Sequence, residues 1–115
     1  MIINQEEYRD YCLSKPGVTE GFPFDEKVLV FKVGGKIFSL VDIFEWDFVN
    51  LKCEPEYAVE LRDQFEGIVP GYHMNKKLWN SVYLDSDVPR KLFLELVDQS
   101  YQLILESLPK SKRPI

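Results

Sequence analysis

The sequence predicts an α+β domain with helices packed on an antiparallel sheet, and three observations carry that prediction. Two apolar runs, 28–33 and 36–42, flank Gly34-Gly35, a two-residue hairpin signal. Two segments with helical apolar spacing place Pro55 and Pro89 in their first turns, where the missing N–H costs nothing. Strand-like runs joined by short turns must pair antiparallel, because a parallel crossover needs a longer connection. The predicted order is α-β-β-β-α-β-β-α, a two-layer α/β sandwich.

The first helix opens at Asn4, where Asn4-Gln5-Glu6-Glu7 has the form of a capping box. Tyr8, Tyr11 and Cys12 share its inward face, and Lys15-Pro16-Gly17 stops it. Residues 19–25 read as a loop or short edge segment held by Phe22-Pro23-Phe24. The Gly34-Gly35 turn sets a hairpin register that opposes Val33 to Lys36, Phe31 to Phe38 and Leu29 to Leu40. Those six form the expected core face. Val28, Val30, Lys32, Ile37, Ser39 and Val41 form the other.

A third strand is expected over 48–52, with Val49, Leu51 and Cys53 alternating with Phe48, Asn50 and Lys52. The second helix follows Glu54-Pro55, carries Tyr57, Ala58, Leu61 and Phe65 on one stripe, and ends at Gly67. A strand over 68–74, a tight turn at Asn75-Lys76-Lys77 and a strand over 79–84 come next. The last helix is expected over 88–108, with a broad apolar stripe and Pro109 at its end. Residues 110–115 form a short basic tail expected to fray.

At 115 residues the chain is one domain's worth, and residues 1–115 are read as one domain. Its 14 basic and 19 acidic side chains give a net charge of −5, a poor match to binding DNA by bulk electrostatics. No apolar run is long enough to span a membrane, and the polar Asn4-Gln5-Glu6-Glu7 soon after Met1 is unlike a signal peptide. A cytoplasmic location, no membrane partner and reduced Cys12 and Cys53 are therefore expected. With His73 the only histidine, no metal site is expected, and no cofactor motif is present. No nucleophile–base pair or phosphate loop is present either, so the expectation is a binding protein with no catalytic residue.

The segment Pro70-Gly71-Tyr72-His73-Met74-Asn75-Lys76-Lys77-Leu78-Trp79-Asn80 has an unusual composition. It resembles the signature of the MmcQ/YjbR family of small bacterial proteins. Tyr11-Cys12-Leu13, Pro16-Gly17-Val18, Phe22-Pro23-Phe24, the run from Val30 to Lys36, Asn50-Leu51-Lys52-Cys53 and Asp98-Gln99-Ser100-Tyr101 agree in order. One departure is Leu78, where many members carry histidine. The resemblance implies an α/β sandwich related to secretion-chaperone-like folds. It also implies no enzymatic activity, and DNA binding through a double wing of hairpin loops. On this chain the wings are the Gly34-Gly35 hairpin and the Asn75-Lys76-Lys77 turn.

Charge supports a basic edge. Residues 67–84 carry Lys76 and Lys77 and no acid, whereas 54–66 carry Arg62 against five acids. Lys32, Lys36, Lys52, His73, Asn75, Lys76, Lys77, Trp79 and Asn80 are the candidate nucleic-acid contacts. With no arginine in either wing, sequence-specific readout of double-stranded DNA is not expected. Two to four phosphate contacts imply an affinity near or below the nonspecific range of ~10⁻⁴–10⁻⁶ M. Each candidate also has a plainer reading: Lys76-Lys77 as a solvated turn, His73 as a hydrogen-bonded structural residue, Trp79 as packing. Two other functions remain open. One is a chaperone-like adaptor that binds a protein partner, or itself, through the sheet face, where Val28, Val30, Ile37 and Val41 form an apolar patch. The other is a small-ligand pocket near Tyr72, His73, Trp79 and Asn80.

Overall fold

The computed structural model describes residues 2–114; Met1 and Ile115, the last residue of the basic tail, lie outside it. The helix α1 (Gln5–Leu13) starts at the expected capping box. Asn4 Oδ1 accepts from the Glu7 N–H at 2.8 Å, and the Glu7 carboxylate accepts from the Asn4 N–H at 3.3 Å. Strands β1 (Val18–Gly21), β2 (Val28–Val33), β3 (Lys36–Asp42) and β4 (Phe48–Lys52) follow. The helix α2 (Pro55–Gln64) then leads to β5 (Ile68–Pro70) and β6 (Trp79–Tyr83). The chain closes with α3 (Arg90–Ser107) and a 3-10 turn at Lys110–Lys112.

The six strands lie in the order β1-β2-β3-β4-β6-β5, every neighbour antiparallel. All three helices pack on one face and share one core. Tyr8 is central to it, with its ring 5.9 Å from Phe31, 5.9 Å from Trp46 and 5.6 Å from Phe93.

Several expectations need correction. An edge strand absent from the predicted order, β1, occupies the start of the segment read as a loop or short edge segment. It is short and polar, so it lacks the alternation that signals a strand. The expected strand over 68–74 stops at Pro70, and residues 71–78 form a folded loop in place of a tight hairpin. The tail does not fray within the described residues. Its 3-10 turn lies against the hairpin tip, and Gly17 and Gly34 leave no room for a Cβ because Pro114 and Leu108 press on them.

The largest correction is in β3. Lys32 pairs with Ile37 but Phe31 pairs with Ser39, so Phe38 is the extra residue of a β-bulge. The bulge turns Phe38, Ser39 and Val41 toward the helices and sends Leu40 to the open face. This inverts the expected pairing beyond the bulge. The ladder between β3 and β4 begins only at Ser39–Leu51. The buried Ser100 hydroxyl of α3 takes up the two backbone groups left over. It donates to the Phe38 carbonyl at 2.6 Å and accepts from the Lys52 N–H at 2.8 Å. A second buried hydroxyl pair, Tyr8 and Ser39 at 2.6 Å, ties the residue after the bulge to α1.

Two predictions follow from these contacts. Ser100→Ala orphans two buried backbone groups and should lower stability by about 2–4 kcal/mol in urea titration, while Ser107→Ala, near the helix end, should cost far less. The second concerns acid. Asp87 accepts the N–H groups of Glu66 at 2.9 Å and Gly67 at 2.8 Å, and these bonds hold its pKa below the ordinary value. Asp25 is lowered in the same way by the N–H groups of Val28 and Lys27. A lowered native pKa means the unfolded chain binds more protons, so stability rises with pH. That stability is fully present above about pH 4 and is lost as the pH falls through the lowered native values. Unfolding measured from pH 7 downward should show a shallower acid loss in Asp87→Asn than in wild type.

Candidate functional site

The face of the sheet turned away from the helices is open, and two loops fold onto it. Along β2 it presents Val28, Val30 and Lys32. Along β4 it presents Phe48, Asn50 and Lys52, and along β6 Trp79, Ser81 and Tyr83. Lys52 stands directly across from Trp79. The apolar patch expected here is only partly exposed: Val30 is buried, Val41 belongs to the core, and Val28 and Ile37 are half-buried.

The loop of residues 71–78 is pinned by its backbone. The Tyr72 N–H donates to Ser81 Oγ at 2.9 Å, and the Tyr72 carbonyl accepts from Asn50 Nδ2 at 3.1 Å. The Ser81 hydroxyl donates to Asn50 Oδ1, closing the ring of bonds. The Gly71 N–H donates to the Trp79 carbonyl at 2.9 Å, and its Cα lies so close to Trp79 that a Cβ would meet that residue at 2.8 Å. His73 sits at φ 58°, a left-handed conformation costing about 1–2 kcal/mol in a non-glycine residue. Its ring lies 4.1 Å from the Tyr72 ring, which meets Phe48 edge-on at 6.0 Å.

Between this loop and the exposed Phe24 lies a cleft of about 340 Å³, with Val28, Leu40, Phe48 and Asn50 among its lining residues. A second hollow of about 300 Å³, lined by Phe22, Pro23, Val30 and Lys32, adjoins it along β2. A larger hollow of about 620 Å³ lies beside α1, where Arg9 and Glu20 are already paired with each other. That pairing holds the Glu20 carboxyl below its ordinary value.

The candidate residues separate on this geometry. Lys32, Lys52 and Trp79 lie on the open face. Asn75, Lys76 and Lys77 are exposed on the loop, and the His73 ring lies tilted against Tyr72. Asn75 Oδ1 accepts from the Lys77 N–H, and Lys76 Nζ donates to the Gly71 carbonyl at 2.8 Å, so both also hold the loop together. Lys36 turns toward α3, with Nζ 3.3 Å from Ser107 Oγ. Asn80 is buried on the helix side, accepting from Arg62 Nε at 2.9 Å and donating to the Ala58 carbonyl. The sequence reading missed Phe24, Leu40 and Met74 as cleft residues. Phe22-Pro23-Phe24 stood out as a loop, but nothing local says which face it folds over.

The YjbR family model matches residues 13–103. The chain belongs to the YjbR family. It is 37% identical over 110 residues to the Escherichia coli K12 protein YjbR, covering 95% of this chain and 93% of that protein. It is 37% identical to YbdF of Escherichia coli O157:H7, covering 91% of this chain and 87% of that protein. The crystal structure of Deinococcus radiodurans protein DR2400, domain DUF419, superposes with a TM-score of 0.90 at 38% identity, over 96% of this chain and 86% of that one. A Pseudomonas syringae crystal structure gives 0.75 at 27% identity, over 89% and 99%. This YjbR domain thus shares its fold with solved structures.

The two thiols of this YjbR chain are free and buried. Burial pushes Cys12 up to about 12 and Cys53 up to about 11, so both stay protonated and unreactive at neutral pH. Among the described residues, no helix is long and apolar enough to cross a membrane. A thiol-specific chromogenic disulfide at pH 8 should leave both cysteines unmodified in the folded protein and react with two equivalents once denaturant is added.

Proposed function

We propose that this chain is a weak, sequence-tolerant nucleic-acid-binding domain, without enzymatic activity, that grips phosphates with one end of its sheet. The observation supporting this reading is that the strand topology sorts the charge. β2 and β4 end, and β3 and β6 begin, at the Gly34-Gly35 end. That end gathers Lys32, Lys36, Lys52, Lys76 and Lys77, and the docked tail adds Lys110, Lys112 and Arg113. Glu54, Glu56 and Glu106 sit in or beside α2 and α3 in the helix layer, and Glu20 of β1, next to the Thr19 that faces Lys32, is paired with Arg9. The opposite loops carry Asp25, Glu26, Glu45, Asp47, Glu66, Asp85 and Asp87 against Lys27, with Asp42 closing β3 and Arg90 opening α3.

The net charge of −5 therefore understates what a phosphate would meet at the basic end. Among the described residues, the ion pairs engage Arg9, Lys15 and Arg90, and none of the cations just named. Hydrogen bonds from Lys76 and Arg113 go to neutral carbonyls, which leaves their charge in place.

The test is fluorescence anisotropy with labelled nucleic acid at about 20 and 150 mM salt. Affinity should fall at least tenfold between the two, as release of a few counterions requires. Lys52→Glu with Lys77→Glu should weaken binding about tenfold or more, whereas Lys27→Glu at the other end should change it little. Absence of binding at the lower salt, or equal losses in the two variants, would overturn the reading.

A further inference from the structure

The cleft opens on the same sheet face as Lys32 and Lys52, toward the end of the strands where Val28, Asp42 and Phe48 lie, and β2 runs from it to the basic end. Same-face residues of β2 run from Val28 in the cleft floor, through Val30, to Lys32. Successive same-face positions are about 7 Å apart, so the cleft lies within two such steps of a cation. The cleft is walled by rings whose faces reach solvent: Phe24 is 65% exposed and Tyr72 59% exposed. Exposed aromatic rings of this size normally seek burial, and here one of them is held out by a bonded, strained loop.

We infer that this cleft takes an unpaired nucleobase, so that the nucleic acid held at the basic end is single-stranded. The inference rests on the preceding reading of a nucleic-acid partner and specifies its class. A ring stacked between Phe24 and the Tyr72–His73 pair would sit in the apolar part of the cleft, and the strand leaving it would run along β2, away from Asp42 and toward Lys32. Bases inside a duplex are stacked on each other and cannot enter such a cleft; an unpaired base can. Asp42, which also lines the cleft, already accepts from the Phe44 and Glu45 N–H groups, and the Asn50 amide is spent on the Tyr72 carbonyl and on Ser81. It has little left with which to read a base edge, so stacking should accept any base.

Three labelled probes of equal length separate the possibilities by anisotropy at about 20 mM salt: a mixed-sequence single strand, the same backbone made wholly abasic, and a duplex. The single strand should bind about tenfold more tightly than either the abasic strand or the duplex, and a duplex that binds as tightly as the single strand would overturn the inference. Phe24→Ala and Tyr72→Ala should each erase that difference and leave abasic binding unchanged. The loop is pinned through the Tyr72 backbone, which alanine keeps, and thermal melts of both variants check the fold. If the single and abasic strands bind alike, the cleft inference fails while the basic-end reading stands. A base preference that survives both substitutions also overturns it, since the bases would then be bound elsewhere. If no probe binds, both readings fall.

Discussion

The hydroxyl of Ser100 stands where two strands of the sheet part. Phe38 is one residue too many for the hairpin, so the β3 and β4 backbones cannot close their ladder at that point. An unpaired carbonyl and N–H would otherwise be buried under α3, at a cost comparable to a large fraction of a domain's net stability. One hydroxyl is both donor and acceptor, so it satisfies the two together. This contact fixes where α3 sits along the sheet. It thereby permits the bulge that places Phe38 in the core and Leu40 on the open face. The floor of the cleft exists because the helix on the other side holds the bulge.

The same strand directions organise the charge. An antiparallel sheet brings alternate loops to the same end, so loops far apart in sequence pool their charge. The C-terminal tail joins the basic end because α3 delivers it there. Its Arg113 donates to the carbonyls of Leu108 and Glu106, groups that the end of the helix leaves without intrahelical partners. That bond both ends the helix and brings a cation to the hairpin tip. Counting charge along the sequence shows a mildly basic segment at best; the fold brings several such segments together.

Features encoded by a few adjacent residues were legible in the sequence. The capping box at Asn4, the Gly34-Gly35 turn, the start of α2 at Pro55 and the third strand all appear where local chemistry puts them. The bulge was not legible, because Ile37, Phe38, Leu40 and Val41 are all apolar and only Ser39 breaks the run. With both faces apolar, alternation carries no register information. The candidate site was half legible. The strands β4 and β6 are regular, so simple alternation is enough to carry Lys52 and Trp79 on the open face. Asn80 was grouped with the contacts although the alternation puts it on the other face, and Lys36 although the hairpin pairing with Val33 turns it toward α3. The cleft depends on where two irregular loops fold, and no periodicity encodes that.

The segment from Pro70 to Asn80 can be divided by asking what each residue does for the fold. Gly71 is required by its close approach to Trp79. Asn75 caps the turn through its side chain, Lys76 reaches back to the Gly71 carbonyl, and Asn80 engages Arg62. Arg62 in turn donates to the Lys76 carbonyl, locking the loop to α2. These residues explain why so irregular a segment is rigid. They leave a small remainder. Tyr72 is more than half exposed, the exposed His73 sits in a left-handed backbone that the loop imposes, and the exposed Lys77 has no carboxylate partner among the described residues. A loop whose other side chains build a frame, and whose exposed ones are an aromatic pair and a cation, has the construction of a presenting element. The structural residues of the segment hold the remaining ones out, and those are the groups on which the proposed contact with a nucleic acid rests.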